Sequence, residues 1–483
     1  MKLASRAAGL LPTGTLLVGA GLAVLGAGSY AQLAVAGHSL STAGMAAMSV
    51  LWSIVFWIGV GLFFPVEQEL IRLVAARTAR GEGIVPVARR AATAAGAILA
   101  ATLVPLAVAA RPLADSLFSG DIGMVGALAA ALLGLAVTSV IRGVLAGRGK
   151  FTAYGGSLAI DGGLRIALAC ALGIAGVRSP AAFGLTLAVP PLLSTACMLG
   201  PLLRDLYPGP AIAWTVMCRG LGLLIGTMLL AQFIVNVAVI NVRLLSPGDP
   251  AVVGALLGAM ILARVPLFVF TSLQVSLLPG LAGAVAAADK ARFRQLAARG
   301  CGIVTVLGIA GGVPAAILGP RLIRVLFAAR PTLGHADFAW LAAGTLFYML
   351  AMVLGQSAMA LSRHRDQLLA WMTGVLVLVA ITLGPGEVKR RVEVGYALSS
   401  LTVAVVLALV VFLRTSRPGA HRGRRSHAAT AVSGGAGQRS ECHQGGNDRH
   451  EGAEVPAHLH QRRPHRERLP GPRPDQDSDF RAE

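Results

Sequence analysis

Apolar stretches long enough to cross a bilayer recur about twelve times along this chain, separated by short polar loops. A hydrocarbon core takes roughly 20 apolar residues per helical span, and each backbone N–H and C=O within it must be satisfied inside the segment. The pattern therefore predicts an all-α, polytopic membrane protein with about 12 transmembrane helices. They are expected near residues 9–36, 42–65, 91–110, 122–147, 156–176, 180–203, 219–242, 250–283, 300–319, 338–361, 367–384 and 394–413. The eighth window is overlong and should end in an amphipathic segment before Lys290. A soluble body is excluded because 55% hydrophobic against 13% charged residues leaves too little polar surface to solvate 483 residues.

The opening MKLASRAAGLLPTGTLLVGAGLAVLGAG has the look of a secretory signal. Its apolar run continues to about Ala36 and a further span follows, so a retained first helix is expected.

A net charge of +20 would point to nucleic acid in a soluble protein. Here Lys and Arg flank the apolar spans, so the expected partner is the anionic inner leaflet of the cell membrane, with no nucleic acid. Short loops let the cationic bias set orientation. With the N-terminus inside, the inner loops collect nineteen Lys and Arg and the outer loops nine, which predicts that both termini are cytoplasmic. Six of the nine exceptions fall in the last two outer loops. Trp214, Trp340 and Trp371 lie near helix starts, as interfacial anchors would. Beyond Arg414 the composition turns to Arg, His, Gly, Pro and Gln, and residues 415–483 are expected to form a disordered basic cytoplasmic tail. Neither the tail histidines nor the five cysteines are spaced as a metal site or a disulfide framework.

An internal repeat is legible. Arg111–Phe118, RPLADSLF, matches Pro320–Phe327, PRLIRVLF, each at the end of the third helix of its half. The basic turn VLAGRGK, with Arg148 and Lys150, answers MALSRHR, with Arg363 and Arg365, in nearly the same register. Six helices plus six in the same orientation make a parallel repeat, with lobes over residues 1–210 and 211–414.

PVEQELIR at Pro65–Arg72, RGVLAGRGKFTAYGGSLAIDGGLR at Arg142–Arg165 and SLLPGLAGAVAAADKARFRQLAARG at Ser276–Gly300 resemble the multidrug/oligosaccharidyl-lipid/polysaccharide (MOP) exporter superfamily. Within it the chain is similar to the Wzx-type polysaccharide flippases and, more distantly, to the lipid II flippases, over about residues 5–414. The resemblance implies two six-helix lobes around a central cavity, as in MATE and other MOP proteins. It also implies alternating access, with an undecaprenyl-diphosphate-linked glycan moving from the inner to the outer leaflet. Lipid II flippases hold the diphosphate with cavity arginines; Arg264 is the one comparable deep arginine here, and the first helix has none past Arg6.

Charges inside spans are costly and need a partner or water. Arg264, near the middle of the eighth window, is a candidate to bind the diphosphate, with a structural arginine as the alternative. Asp161 and Arg165 share a helix face at i,i+4. They form either a structural pair or a switch in which Asp161 takes a proton or Na⁺ and frees Arg165 for substrate. Glu69 and Arg72, at i,i+3, suggest a pair at the cytoplasmic mouth with Glu67 on another face, either as a gate latch or as a solvated helix end. Arg142 is expected to snorkel to headgroups rather than touch substrate. Gln232 and Asn236 share a face of the seventh helix and would bridge helices or contact a glycan.

The sequence holds no Walker-type phosphate loop and no acidic metal cluster of a glycosyltransferase. A non-enzymatic transporter without cofactor is expected, driven by H⁺ or Na⁺ gradients or the membrane potential, with glycan-assembly enzymes as neighbours. A small-molecule efflux antiporter and an inactive membrane scaffold are the alternatives.

Overall fold

A computed structural model describes residues 13–203, 206–246, 248, 250–263, 267, 277, 280–281, 283–285, 287–327 and 333–416. The elements are α1 (Thr13–Ser39), α2 (Thr42–Thr78), α3 (Val85–Val108), α4 (Ala110–Leu117), α5 (Ile122–Gly147), α6 (Phe151–Ile174), α7 (Pro180–Leu185) and α8 (Val189–Leu203). They continue with α9 (Trp214–Leu245), α10 (Pro250–Ala263), α11 (Lys290–Phe327), α12 (His335–Ala360), α13 (His364–Thr382) and α14 (Val388–Ser416). Eleven segments among the described residues are long and apolar enough to cross a membrane, α7 and α8 counting together as one. The eighth window is represented by α10 and isolated residues beyond it. The expected tail lies outside the described residues.

Large apolar side chains such as Val108, Ile174, Val306 and Leu383 stand exposed along the helices. In water such a belt would be an aggregation surface; facing acyl chains it costs nothing. The chain is accordingly a multi-pass membrane protein.

Several helices outrun their apolar windows. α2 continues thirteen residues past Pro65 to Thr78, α3 begins at Val85 with Arg89 and Arg90 inside it, and α11 begins at Lys290. Helical hydrogen bonding does not stop where hydrophobicity does, so hydropathy marks the lipid-embedded part and misses the ends. Within α2, Val55–Val60 widens to a π-helical turn beside the stacked rings of Trp52 and Phe56, 3.9 Å apart. α3 breaks at Ala109, and the repeated motif RPLADSLF forms the separate α4. Its counterpart in the second half is the unbroken end of α11.

Six pairings organise residues 13–203: α1 with α6, α2 with α3, α2 with α5, α3 with α5, α5 with α8, and α6 with α8. The same six recur in residues 214–416, as α9 with α13, α10 with α11, α10 with α12, α11 with α12, α12 with α14, and α13 with α14. Between the two sets, α2 packs on α9 and α10, and α1 on α11. Trp57 of α2 meets Phe233 of α9 edge to face at 4.9 Å. Trp371, expected at the interface, is instead 1% exposed and packs edge to face on Tyr348.

Candidate functional site

Glycines bring the site's helices together. On α1, Gly21 and Gly28 face Gly155 and Gly162 of α6, both pairs spaced by seven residues. A Cβ built on Gly162 would lie 2.5 Å from the Val24 carbonyl oxygen, so only glycine permits this approach. On α5, Gly143 and Gly147 abut the side chains of Leu70 and Val74 of α2. These contacts pack α6 against α1 and α5 against α2, and α5 and α6 also touch.

At their meeting point lies a buried ionic cluster. Asp161 of α6 accepts from two arginines: Arg165 Nε donates to its Oδ1 at 2.8 Å and Arg142 Nη2 to its Oδ2 at 3.1 Å. Arg142 Nε also donates to Ser157 Oγ at 2.8 Å. Asp161 is 1%, Arg165 6% and Arg142 7% exposed. The expectation that Arg142 snorkels is therefore wrong. It ends no helix, since α5 runs on to Gly147, and it turns inward because an aspartate and a hydroxyl lie there. The Asp161–Arg165 pair forms as its spacing implied.

Glu67 and Glu69 are buried, so the solvated-helix-end alternative does not hold. α2 continues well past them, to Thr78. Glu69 pairs with Arg72 at 2.5 Å as expected, although the Arg72 side chain is 61% exposed. Glu67 faces α6, where Tyr154 OH donates to its Oε1 at 2.9 Å. The group thus runs from Glu67 through Tyr154 along α6 to Ser157, Asp161 and Arg165, with Arg142 joining from α5.

Gln232 and Asn236 bond each other within α9: Asn236 Nδ2 donates to Gln232 Oε1 at 3.0 Å and to its carbonyl at 2.9 Å. Arg264, the expected diphosphate ligand, lies outside the described residues.

Sequence reasoning missed three features. Arg77 is a buried clasp, donating to the carbonyls of Gly83 at 3.2 Å, Pro210 at 2.6 Å and Ala211 at 3.4 Å. It ties the end of α2 to the segment between α8 and α9. Tyr154 and Ser157 are partners that sequence spacing against Glu67 and Arg142 could not reveal. Near the opposite end, Lys389 of α14 pairs with Asp337 of α12 at 3.0 Å, and Glu393, one turn further along α14, is buried. Among the described residues, no three of His, Cys, Asp and Glu gather as a metal site.

Among the described residues, helices packed in two matching sets, with an ion cluster buried in one of them, define a class: polytopic helical membrane proteins built on an internal repeat. The solved structures it is similar to belong to that class. An outward-facing multidrug resistance MATE family transporter of the MOP superfamily superposes with a TM-score of 0.62 at 16% identity, covering 83% of this chain and 94% of that one. A eukaryotic MATE transporter gives 0.62 at 17% identity over 83% and 95%. A MOP superfamily transporter from Pyrococcus furiosus gives 0.61 at 15% over 83% and 94%. The fold is MATE-like. In sequence, the chain is 27% identical over 303 residues to an uncharacterized protein of Mycobacterium tuberculosis, covering 60% of this chain and 66% of that protein. The match thus falls just short of two thirds of the relative's length. A second uncharacterized protein of that organism is 25% identical over 296 residues, 60% of this chain and 67% of its own. No family model matches the chain.

Proposed function

We propose that this protein is a flippase that carries an undecaprenyl-diphosphate-linked oligosaccharide or cell-wall glycan precursor from the inner to the outer leaflet by alternating access. The observation that carries the reading is the charge of the buried cluster. Two arginines, Arg142 and Arg165, share Asp161 as their ion-pair partner inside the bundle, while the group's other carboxylate, Glu67, is hydrogen-bonded to Tyr154 rather than to either arginine. Such a site suits a diphosphate, which guanidinium groups hold with charge-assisted hydrogen bonds, and disfavours an organic cation. The MATE-like fold and the resemblance to Wzx-type flippases support the same reading.

In this scheme residues 1–210 and 211–414 are the two rocking lobes, a division supported by their matching helix pairings. Arg165 and Arg264, with Gln232 and Asn236, contact the substrate. Asp161 takes H⁺ or Na⁺ as the lobes rock and loosens its arginines, while Glu67, Glu69 and Arg72 form the inner gate. No bond is made or broken in the cargo, so the protein is not an enzyme. Glycan-assembly enzymes would be its neighbours.

Mass spectrometry of polyprenyl-linked lipids in a strain depleted of the protein tests this. Accumulation of a completed diphosphate-linked glycan, with loss of its surface polymer, is the expected result. The second reading is small-molecule efflux, favoured by the likeness to a multidrug resistance transporter. It predicts an unchanged lipid-linked pool, intact surface glycan and raised sensitivity to drugs.

A further inference from the structure

We propose that the cleft between the first turns of α3 and the start of α9 is a binding site for the phosphate-ester headgroup of an anionic inner-leaflet lipid. The proposal is independent of what the protein transports. The cleft encloses about 310 Å³ and is lined by Val85, Arg89, Arg90, Thr93, Ile212 and Trp214 among others, none of them acidic.

The Arg90 guanidinium lies over the Trp214 indole, 4.7 Å from the ring centroid. Stacking occupies the face of the guanidinium and leaves its N–H edge for an acceptor. Yet Arg90 Nη1 is buried and has no hydrogen-bond partner among the described residues. A buried donor on a charged group is costly to leave unmet, and the cheapest remedy is an anionic oxygen brought in from outside. Arg89, exposed beside it, adds a second cation. Both sit in the first turns of a 24-residue helix, whose dipole favours an anion.

The occupant is a lipid rather than a soluble phosphate because of the walls and the place. Val85, Ile212 and the Trp214 ring give the cleft an apolar lining suited to the glycerol and acyl roots of a lipid. The cleft shares its end of the bundle with Arg72, Arg77 and Arg80, the end that the cationic bias places in the cytoplasmic leaflet. A lipid here would touch α3 from the first set of helices and the entry to α9 from the second, beside the segment that Arg77 clasps.

Native mass spectrometry of the full chain in detergent, titrated with phosphatidylglycerol, with diacylglycerol as a phosphate-free lipid, and with inorganic phosphate, decides the matter. The wild type should retain phosphatidylglycerol about tenfold more tightly than diacylglycerol, the scale of one charge-assisted hydrogen bond. Arg89→Gln should weaken that preference and Arg90→Gln should abolish it. Arg80→Gln, at an exposed arginine of the same end, should change nothing. Since Arg89 is exposed, its variant keeps the test valid even if Arg90→Gln fails to fold. An unchanged preference in Arg89→Gln, or an equal loss in Arg80→Gln, would overturn the site. Displacement of the lipid by inorganic phosphate at similar concentration would overturn the lipid as its occupant.

Discussion

A single carboxylate, Asp161, serves two buried arginines, and this asymmetry orders the consequences of mutation. Removing either arginine leaves a neutral pair. Removing the aspartate strands two cations in a region of low dielectric, and breaking a buried pair costs about 3 to 5 kcal/mol. Asp161→Asn should therefore lower the unfolding midpoint in detergent well below that of Arg142→Gln or Arg165→Gln. Equal losses in the three would mean that the arginines do not share their acceptor. Spacing along the chain implied the Asp161–Arg165 pair because both residues lie on one helix, four apart. It could not imply Arg142, nineteen residues away across a turn, since that contact depends on how α5 docks on α6. For the same reason Tyr154 and Glu67, 87 residues apart, were invisible as partners.

At the scale of the helix, adjacent glycines separate packing from propensity. Gly162 meets the α1 backbone, whereas a methyl group added at Gly163 would have nothing within 4 Å. Gly162→Ala must push α1 from α6 and should cost about 1 to 3 kcal/mol, as overpacking does. Gly163→Ala should be neutral or gain about 0.5 to 1 kcal/mol, because alanine is the better helix former. Thermal unfolding of both variants in one detergent checks the pair; similar destabilisation would deny that α1 and α6 touch at Gly162. Hydropathy located these helices well and their ends poorly. The arginine-bearing turns of α2, α3 and α11 are helical yet polar, and only backbone hydrogen bonding carries them on.

For the whole molecule, the joint between the two sets of helices carries the clearest expectation. Arg77 satisfies three carbonyls in the segments flanking it, two of them in the stretch leading into α9. Arg77→Ala leaves those acceptors to water, so amide exchange at Tyr207, Gly209, Ala211 and Ile212 should quicken while exchange in the core of α5 stays as in the wild type. Unchanged exchange at those amides would show that the clasp does not hold the joint. The matching helix pairings give the repeat a physical basis: each set buries the same faces in the same order. The ionic cluster has no counterpart on α13, which carries neither an aspartate nor an arginine where α6 has Asp161 and Arg165.

Residue order was enough to establish that the chain crosses a membrane many times, where most spans lie and that it repeats, because the free energy of placing apolar residues in lipid is local and additive along the chain. Which charges are solvated and which are paired emerged only from the three-dimensional packing. Arg142, Arg77, Glu67 and Trp371 look from sequence like the ordinary furniture of helix ends, yet all four are buried. Burial and pairing are set by the close approach of helices distant in sequence, made possible by glycines whose neighbours the sequence does not name.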